Sequence, residues 1–143
     1  RRLYSDLVPI MLEDLGLAAA IEWQAEGFGR RAGVQSAVRR VDDVPLPHAR
    51  MALGLFRVLQ EALDNVLTHA GATRVAVDLE RSGDTVVLRV ADDGRQPPAH
   101  AAVSPGEPWL AGMRERVRSW GGDVHVHSSE AEGTVLKVTV PLA

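Results

Sequence analysis

The sequence predicts an α+β fold, a two-layer α/β sandwich in which one mixed, mostly antiparallel sheet is covered by helices on one face. One long segment, residues 48–70, carries apolar residues at the i, i+3, i+4, i+7 spacing of an amphipathic helix. Four other segments alternate apolar and polar residues, as half-buried strands do. The order of helices and strands along the chain suits a single sheet with its helices layered on one face.

The N-terminal third of the chain is predicted to be mainly helical. Residues 1–32 place apolar side chains at helical spacing from Leu3 onward. Pro9 has no N–H group and is expected to kink or break this helix. Gly16 marks a second interruption, and glycines at 27, 29 and 33 are expected to close the segment. A short strand is then predicted at residues 34–41.

The remaining strands follow the long helix, which is expected to end near a C-cap at Gly71. The alternating segments are residues 73–80, 85–90, 124–128 and 134–140. A turn at residues 81–84 joins the first two strands as a hairpin. Residues 92–109 are rich in glycine, proline and alanine and lead into a helix at residues 110–120. A connection this long is typical of a lid or binding loop.

Composition excludes several classes of protein. The chain has 143 residues, 45% hydrophobic, with a formal net charge of -3, which suits one domain. The slightly acidic balance argues against a general nucleic-acid partner. With no cysteine, disulfides and thiolate metal sites are excluded. The start at Arg1 shows neither a signal-peptide core nor a methionine, so we expect a piece of a longer protein.

A row of polar side chains runs along the predicted helix 48–70. Glu61, Asn65 and His69 are spaced i, i+4, i+8, so they share one side of the helix and flank its apolar stripe. A carboxylate, a carboxamide and an imidazole placed there can bind a cation through oxygen and an anion through N–H. Taken alone, such a row is more often a solvated helix face.

Three further elements carry weaker signals. Asp92 and Gly94 end a strand, where a carboxylate can accept from an exocyclic amine and glycine lets a flat ring approach the backbone. Gly112 lies at a predicted helix start, whose N–H groups favour phosphate. Thr134 opens the last strand with a hydroxyl that can bond a base or a water. An ordinary turn is the plain alternative for the Asp-Gly segment.

In combination and in this order, the elements resemble the ATP-binding catalytic domain of sensor histidine kinases, within the wider family shared with gyrase, Hsp90 and MutL-type ATPases. The resemblance covers nearly the whole chain. It rests on an N box at residues 60–70 (QEALDNVLTHA), a first glycine box at residues 92–94 (DDG), the nitrate-sensor-type form at residues 112–117 (GMRERV), and the linker segments 7–9 (LVP) and 12–17 (LEDLGL).

The resemblance implies a domain organisation. Residues 1–32 would be a helical linker from the end of the phosphoacceptor and dimerisation region. Residues 33–143 would be the ATP-binding catalytic domain, of the Bergerat-type fold, with an ATP lid at residues 95–109.

The resemblance also implies residue roles. Asn65 would coordinate the Mg²⁺ that bridges the ATP phosphates, and Glu61 would orient or deprotonate the attacking group. His69 would lie beside the phosphates, and Gly112 would belong to the phosphate-binding helix start. Asp92 would bind the adenine amino group, with Gly94 under the ring and Thr134 in support. The cofactors that the resemblance implies are ATP and Mg²⁺.

The implied function is transfer of the ATP γ-phosphoryl group to a histidine in the parent's own phosphoacceptor domain, and from there to a response regulator. The parent would be a homodimer, cytoplasmic in this part and anchored in the inner membrane. No His-Asp phosphoacceptor motif occurs in the chain, so we expect the chain to be inactive in autophosphorylation on its own.

Three residues depart from the family's usual glycines. Gln96 stands in the first glycine box, and Glu107 and Trp109 stand in the second, where backbone wraps phosphate closely. Weakened nucleotide binding is therefore one hypothesis. A degenerate nucleotide-site module, acting in dimerisation or regulation, is an alternative function, and an anti-sigma-type protein serine kinase on the same fold is another.

Other polar residues favour ordinary surface roles. His125 and His127 alternate along one strand and so share a face, but no third ligand accompanies them. Arg114 and Arg116 open the helix after the lid, where reaching a phosphate and serving as ordinary surface charge are equally good interpretations.

Overall fold

The computed structural model describes residues 2–44, 49–67, 71–94, 108–129 and 133–142. Its elements, in chain order, are α1 (Arg2–Ala32), β1 (Gln35–Val41), α2 (Ala49–Val66), β2 (Arg74–Ser82), β3 (Thr85–Asp92), α3 (Pro108–Arg118), β4 (Asp123–Ser129) and β5 (Gly133–Pro141).

The strands form one sheet in the order β1-β2-β3-β5-β4. β1 pairs with β2 in parallel, whereas the β2–β3, β3–β5 and β4–β5 pairs are antiparallel. The predicted α+β class with a mixed, mostly antiparallel sheet is therefore confirmed. The β2–β3 hairpin turns through Gly83 and Asp84, and Gly83 has a φ of 60°, which a tight hairpin turn requires.

One face of the sheet packs against the helices. Along β3 the residues Val86, Leu88 and Val90 are buried, while Arg89 between them is exposed. The apolar stripe of α2 lies against this face and includes Phe56, which is fully buried. Burial on one face and exposure on the other produce the predicted two layers.

The first helix differs from its prediction in where it is interrupted. The helix continues through Pro9, but Gly16 has non-helical backbone angles (φ 87°, ψ 168°) that separate two helical parts. Gly27 and Gly29 do not close the helix, which runs to Ala32. A side chain at Gly29 would meet the carbonyl oxygen of Val34, so this glycine serves the close approach of β1 instead.

α1 shares the hydrophobic core with the rest of the chain. Ala20, Ile21, Ala25 and Phe28 are all at most 3% exposed and pack in the same cluster as the stripe of α2. The boundary predicted after residue 32 stays a prediction, but it does not coincide with a break in this core. No helix of the described part of the chain is both long and apolar enough to cross a membrane.

The third helix is fixed against both layers. Leu110, Met113 and Val117 are at most 2% exposed, at the spacing of one helix face. Beyond the helix, the Trp120 ring lies so close to Gly54 of α2 that any side chain at Gly54 would overlap it. The position of α3 is therefore set by tight packing at its C-terminal end.

Candidate active site

A buried polar patch lies where β3, β5 and β4 meet, on the helix-covered face. Asp92 is directly opposite Thr134, and Thr134 is directly opposite Ser128. Asp92 and Thr134 are 5% and 4% exposed, and the hydroxyl oxygens of Ser128 and Thr134 are 3.0 Å apart. Buried polar groups are costly unless they are bonded, so their alignment in three adjacent strands is unusual for a core.

Two glycines shape the backbone around this patch. The N–H of Gly94 donates to Oδ1 of Asp92 at 2.8 Å, which fixes one oxygen of the carboxylate. Gly133 has a φ of 76°, and a side chain there would overlap the carbonyl oxygen of Asp92. Glycine at 133 thus lets β5 start in close contact with the end of β3.

The helix α2 completes the patch. Asn65 shares a cavity of about 10 Å³ with Asp92 and Thr134, and apolar side chains form its walls: Ala62, Val66, Val90, Val126 and Leu136. Three of the residues predicted for one site, on three different elements, are therefore brought together. A cavity of that size holds about one water molecule, so it is too small to hold a nucleotide by itself.

The neighbouring acid, Asp93, has a different role. Its Oδ1 accepts from the N–H groups of Thr73 and Arg74 at 2.8 and 2.9 Å, and its Oδ2 accepts from the Thr73 hydroxyl at 2.7 Å. Although burial opposes it, these hydrogen bonds hold the pKa of Asp93 below its usual range. Asp93 therefore joins the start of β2 to the end of β3.

Asp93→Asn is expected to lower the free energy of unfolding by about 1 kcal/mol at pH 7, after discounting for solvent exposure. Because the folded pKa is depressed, this contribution is complete above the unfolded pKa of about 4 and disappears as pH falls through the folded pKa. Denaturation of both proteins at pH 7 and pH 3 measures the difference. The exposed Asp43→Asn variant is the control, and a difference that does not become smaller between pH 7 and pH 3 would contradict the assignment.

Glu61 lies in a separate cleft. This cleft of about 420 Å³ is formed by α1, α2 and α3, and Glu61 does not line the cavity of Asn65. Oε1 of Glu61 is 2.7 Å from Nη1 of Arg116, with the two side chains 35% and 38% exposed. The other lining residues are polar: Gln24, Arg31, Arg57, Gln60 and Asp64.

Other predicted site residues are placed differently or not described. α3 begins at Pro108, so Gly112 is in its second turn and not at the helix start, and it is exposed with open space around it. His69, residues 95–107 of the predicted lid and the side chain of Trp109 lie outside the described part of the chain. Arg114 donates to the carbonyl oxygen of Val124 at 3.1 Å, so its guanidinium joins α3 to β4.

The oxygen ligands at the patch suit Mg²⁺ that also binds water and phosphate better than they suit a metal held by protein alone. Within the described ranges, no three His, Asp or Glu side chains are grouped closely enough to hold a metal ion. Mg²⁺ commonly binds one or two protein oxygens and completes its shell with water and substrate phosphates. The Asn65 carboxamide beside the cavity suits that mode. His125 and His127 are both exposed on the outer face of β4.

Sequence reasoning did not find two of these features. Ser128 faces Thr134, and the alternation of β4 would have placed it on the inner face. The contact of Arg116 with Glu61 joins residues 55 apart in the sequence, and no local pattern indicates it.

Comparison with known proteins decides the family. Residues 51–143 match the model of the "Histidine kinase-, DNA gyrase B-, and HSP90-like ATPase" family, and these residues include every element of the patch. The chain belongs to this ATPase family.

Individual relatives of this chain agree with the match. The sensor histidine kinase MctS of Rhizobium johnstonii is 35% identical over 99% of this chain and 31% of its own length. The histidine-protein kinase/phosphatase UhpB of Salmonella typhimurium is 35% identical over 99% of this chain and 28% of its own length. The chain thus spans about a third of the length of the relatives that it matches.

Solved structures match the fold of this chain. The histidine kinase domain of the blue-light activated histidine kinase from Erythrobacter litoralis EL346 has a TM-score of 0.70 and 25% identity, over 88% of this chain and 61% of that one. The Acinetobacter baumannii histidine kinase AdeS has a TM-score of 0.66 over 99% of this chain and 77% of its own, and at 14% identity it supports the fold alone.

Proposed function

We propose that the chain is the ATP-binding catalytic domain of a two-component sensor histidine kinase. The observation that carries the proposal is the buried Asp92–Thr134 pair beside Asn65, in a chain of this ATPase family. A buried carboxylate and hydroxyl at the end of an apolar cavity can recognise the polar edge of a flat base. The base would lie at the mouth of the cavity, toward Gly94, because the cavity itself is too small for a ring.

Each residue of the site has a part in positioning the nucleotide. Asp92 accepts a hydrogen bond from the adenine amino group, and Thr134, held by Ser128, bonds the same edge of the ring. Asn65 lies one turn beyond Glu61 on α2, so phosphates held at the carboxamide would extend along the helix toward the separate cleft that Glu61 lines. Asn65 would hold Mg²⁺, whose charge would offset that of the phosphates. Phosphoryl transfer mainly requires such positioning and charge stabilisation.

We propose that the acceptor is a histidine in a part of the parent protein outside this chain. The named relatives are sensor histidine kinases, which favours histidine over the serine of an anti-sigma-type kinase. The phosphoryl group would pass on to a response regulator, and the parent would be a homodimer with this domain in the cytoplasm and an anchor in the inner membrane. The chain alone would not autophosphorylate.

Calorimetric titration of the chain with ATP tests the proposal. We expect binding that tightens when Mg²⁺ is added, and we expect Asn65→Ala to remove most of that Mg²⁺ dependence while ATP alone still binds. The matched control is Asp64→Ala, because Asp64 is next in sequence but exposed and lines the other cleft. An equal Mg²⁺ effect in the Asn65 variant would contradict the role given to Asn65.

The degenerate-module alternative is favoured by the departures from the family's usual glycines at Gln96, Glu107 and Trp109. Its prediction for the same titration differs, since it expects no binding of ATP up to millimolar concentration. That outcome would replace a catalytic role by one in dimerisation or regulation.

A further inference from the structure

Glu61 is joined to the helix that follows the predicted lid. Its Oε1 is 2.7 Å from Nη1 of Arg116, across a sequence separation of 55 residues. Charge-assisted hydrogen bonds of this length are among the stronger side-chain contacts. The carboxylate is therefore held at one oxygen by a residue of another element.

The guanidinium is itself held by a rigid support. Arg116 lies beside the buried stripe of α3, next to Val117 and one turn from Met113, both fully buried. One turn further on, the Trp120 ring is packed against Gly54 of α2. The position of the Arg116 backbone is therefore set by the packing of α3, since Arg116 belongs to a packed helix and not to a loop.

The other carboxylate oxygen of Glu61, Oε2, is not held by Arg116. Of the residues that the structure describes, none bonds to Oε2, and Glu61 lines the cleft of about 420 Å³ between the helices. Asp64 lines the same cleft but makes no ion pair with any described residue. Of these two acids, Arg116 therefore pairs with Glu61. One anchored oxygen and one open oxygen is the arrangement expected of an oriented base.

We propose that Arg116 is a positioning residue, which holds the Glu61 carboxylate in the orientation needed for phosphoryl transfer. The inference rests on the proposed function, since it gives Glu61 the attacking-group role described above. Misplacement of a reacting group by about 1 Å can cost about 100-fold in rate, so loss of the anchor should act on the chemical step. Nucleotide binding, which uses Asp92 and Thr134, should not depend on it.

The test is a double-mutant cycle of Glu61→Gln and Arg116→Ala. The rate of histidine phosphorylation by the full-length kinase is measured at saturating ATP, and the ATP dissociation constant is measured with this chain. We expect Arg116→Ala to lower the rate at least 10-fold with less than a threefold change in the dissociation constant. In the Glu61→Gln background, Arg116→Ala should lower the rate no further, since coupled residues are not additive.

Two controls separate positioning from folding. Arg118→Ala removes the same charge from the same helix, but Arg118 is 63% exposed and lies 3.8 Å from Asp123, so its rate should match wild type. Arg116→Lys keeps the charge and should restore part of the rate. Thermal unfolding of each variant identifies loss of fold, and if Arg116→Ala does not fold, Arg116→Lys in both backgrounds completes the cycle.

The outcomes distinguish this inference from the proposed function. If Glu61→Gln leaves the rate unchanged, the role of Glu61 is wrong and the inference falls with it. If Glu61→Gln lowers the rate but Arg116→Ala does not, or if the two losses add fully, only the positioning role of Arg116 is overturned.

Discussion

Replacing Asp92 by alanine is expected to weaken ATP binding to this chain about 100-fold. The carboxylate is 5% exposed, one oxygen is fixed by the Gly94 N–H, and it lies opposite Thr134 on the next strand. Loss of a hydrogen bond to a buried charged group costs about 1.5–3 kcal/mol, and each 1.4 kcal/mol is about tenfold in affinity. Calorimetric titration of wild type and variant measures the change.

The neighbouring acid gives a matched control. Asp92→Asn and Asp93→Asn make the same chemical change at adjacent positions, but the Asp93 carboxylate is bonded to Thr73 and Arg74 instead of facing the cavity. We expect only the first to weaken ATP binding. GTP should bind much more weakly than ATP to wild type, because guanine presents an acceptor where adenine presents an amino donor. Equal affinities for ATP and GTP would contradict base recognition by Asp92.

Replacing Gly133 by alanine is expected to lower the free energy of unfolding by about 3 kcal/mol or more. Two costs combine at this position. Its φ of 76° disfavours any side chain, and a methyl group would overlap the carbonyl oxygen of Asp92. β5 would have to move away from the end of β3, which would also separate Thr134 from Asp92.

The control for Gly133 is Gly83, which shares one of the two costs. Gly83 has a φ of 60°, but a side chain there would meet nothing within 4 Å. Gly83→Ala is therefore expected to cost only about 1 kcal/mol. Urea denaturation of the two variants isolates the effect of the contact with Asp92. Equal losses of stability would mean that the backbone relaxes around the added methyl group.

Much of the secondary structure could be predicted because it depends on local periodicity. The stripe of α2 around Leu59 and Leu63 repeats every three to four residues, and the strand β3 alternates, so each element shows which face it buries. Interruptions were less certain. Pro9 and Gly29 are both unfavourable in a helix, yet the helix includes them. At Gly29 the close approach of β1 outweighs the local preference.

The candidate site was predicted unevenly for the same reason. Asp92, Thr134 and Asn65 were found from their resemblance to a family motif, and the sheet register then placed the first two opposite each other. The anchor of Glu61 was not found, because Arg116 was equally consistent with surface charge. A contact between two helices depends on how both pack against a third element, which no short segment encodes.

The sequence by itself determined the class of fold, the elements and the family, because periodicity, turn residues and motifs are local properties of the chain. Only the tertiary structure decided that β3, β5 and β4 are neighbours, that Asp92 meets Thr134, and that Glu61 belongs to a cleft of its own. These facts depend on the register between distant segments. That register is set by the burial of all their apolar faces together, so it exists only in the folded chain.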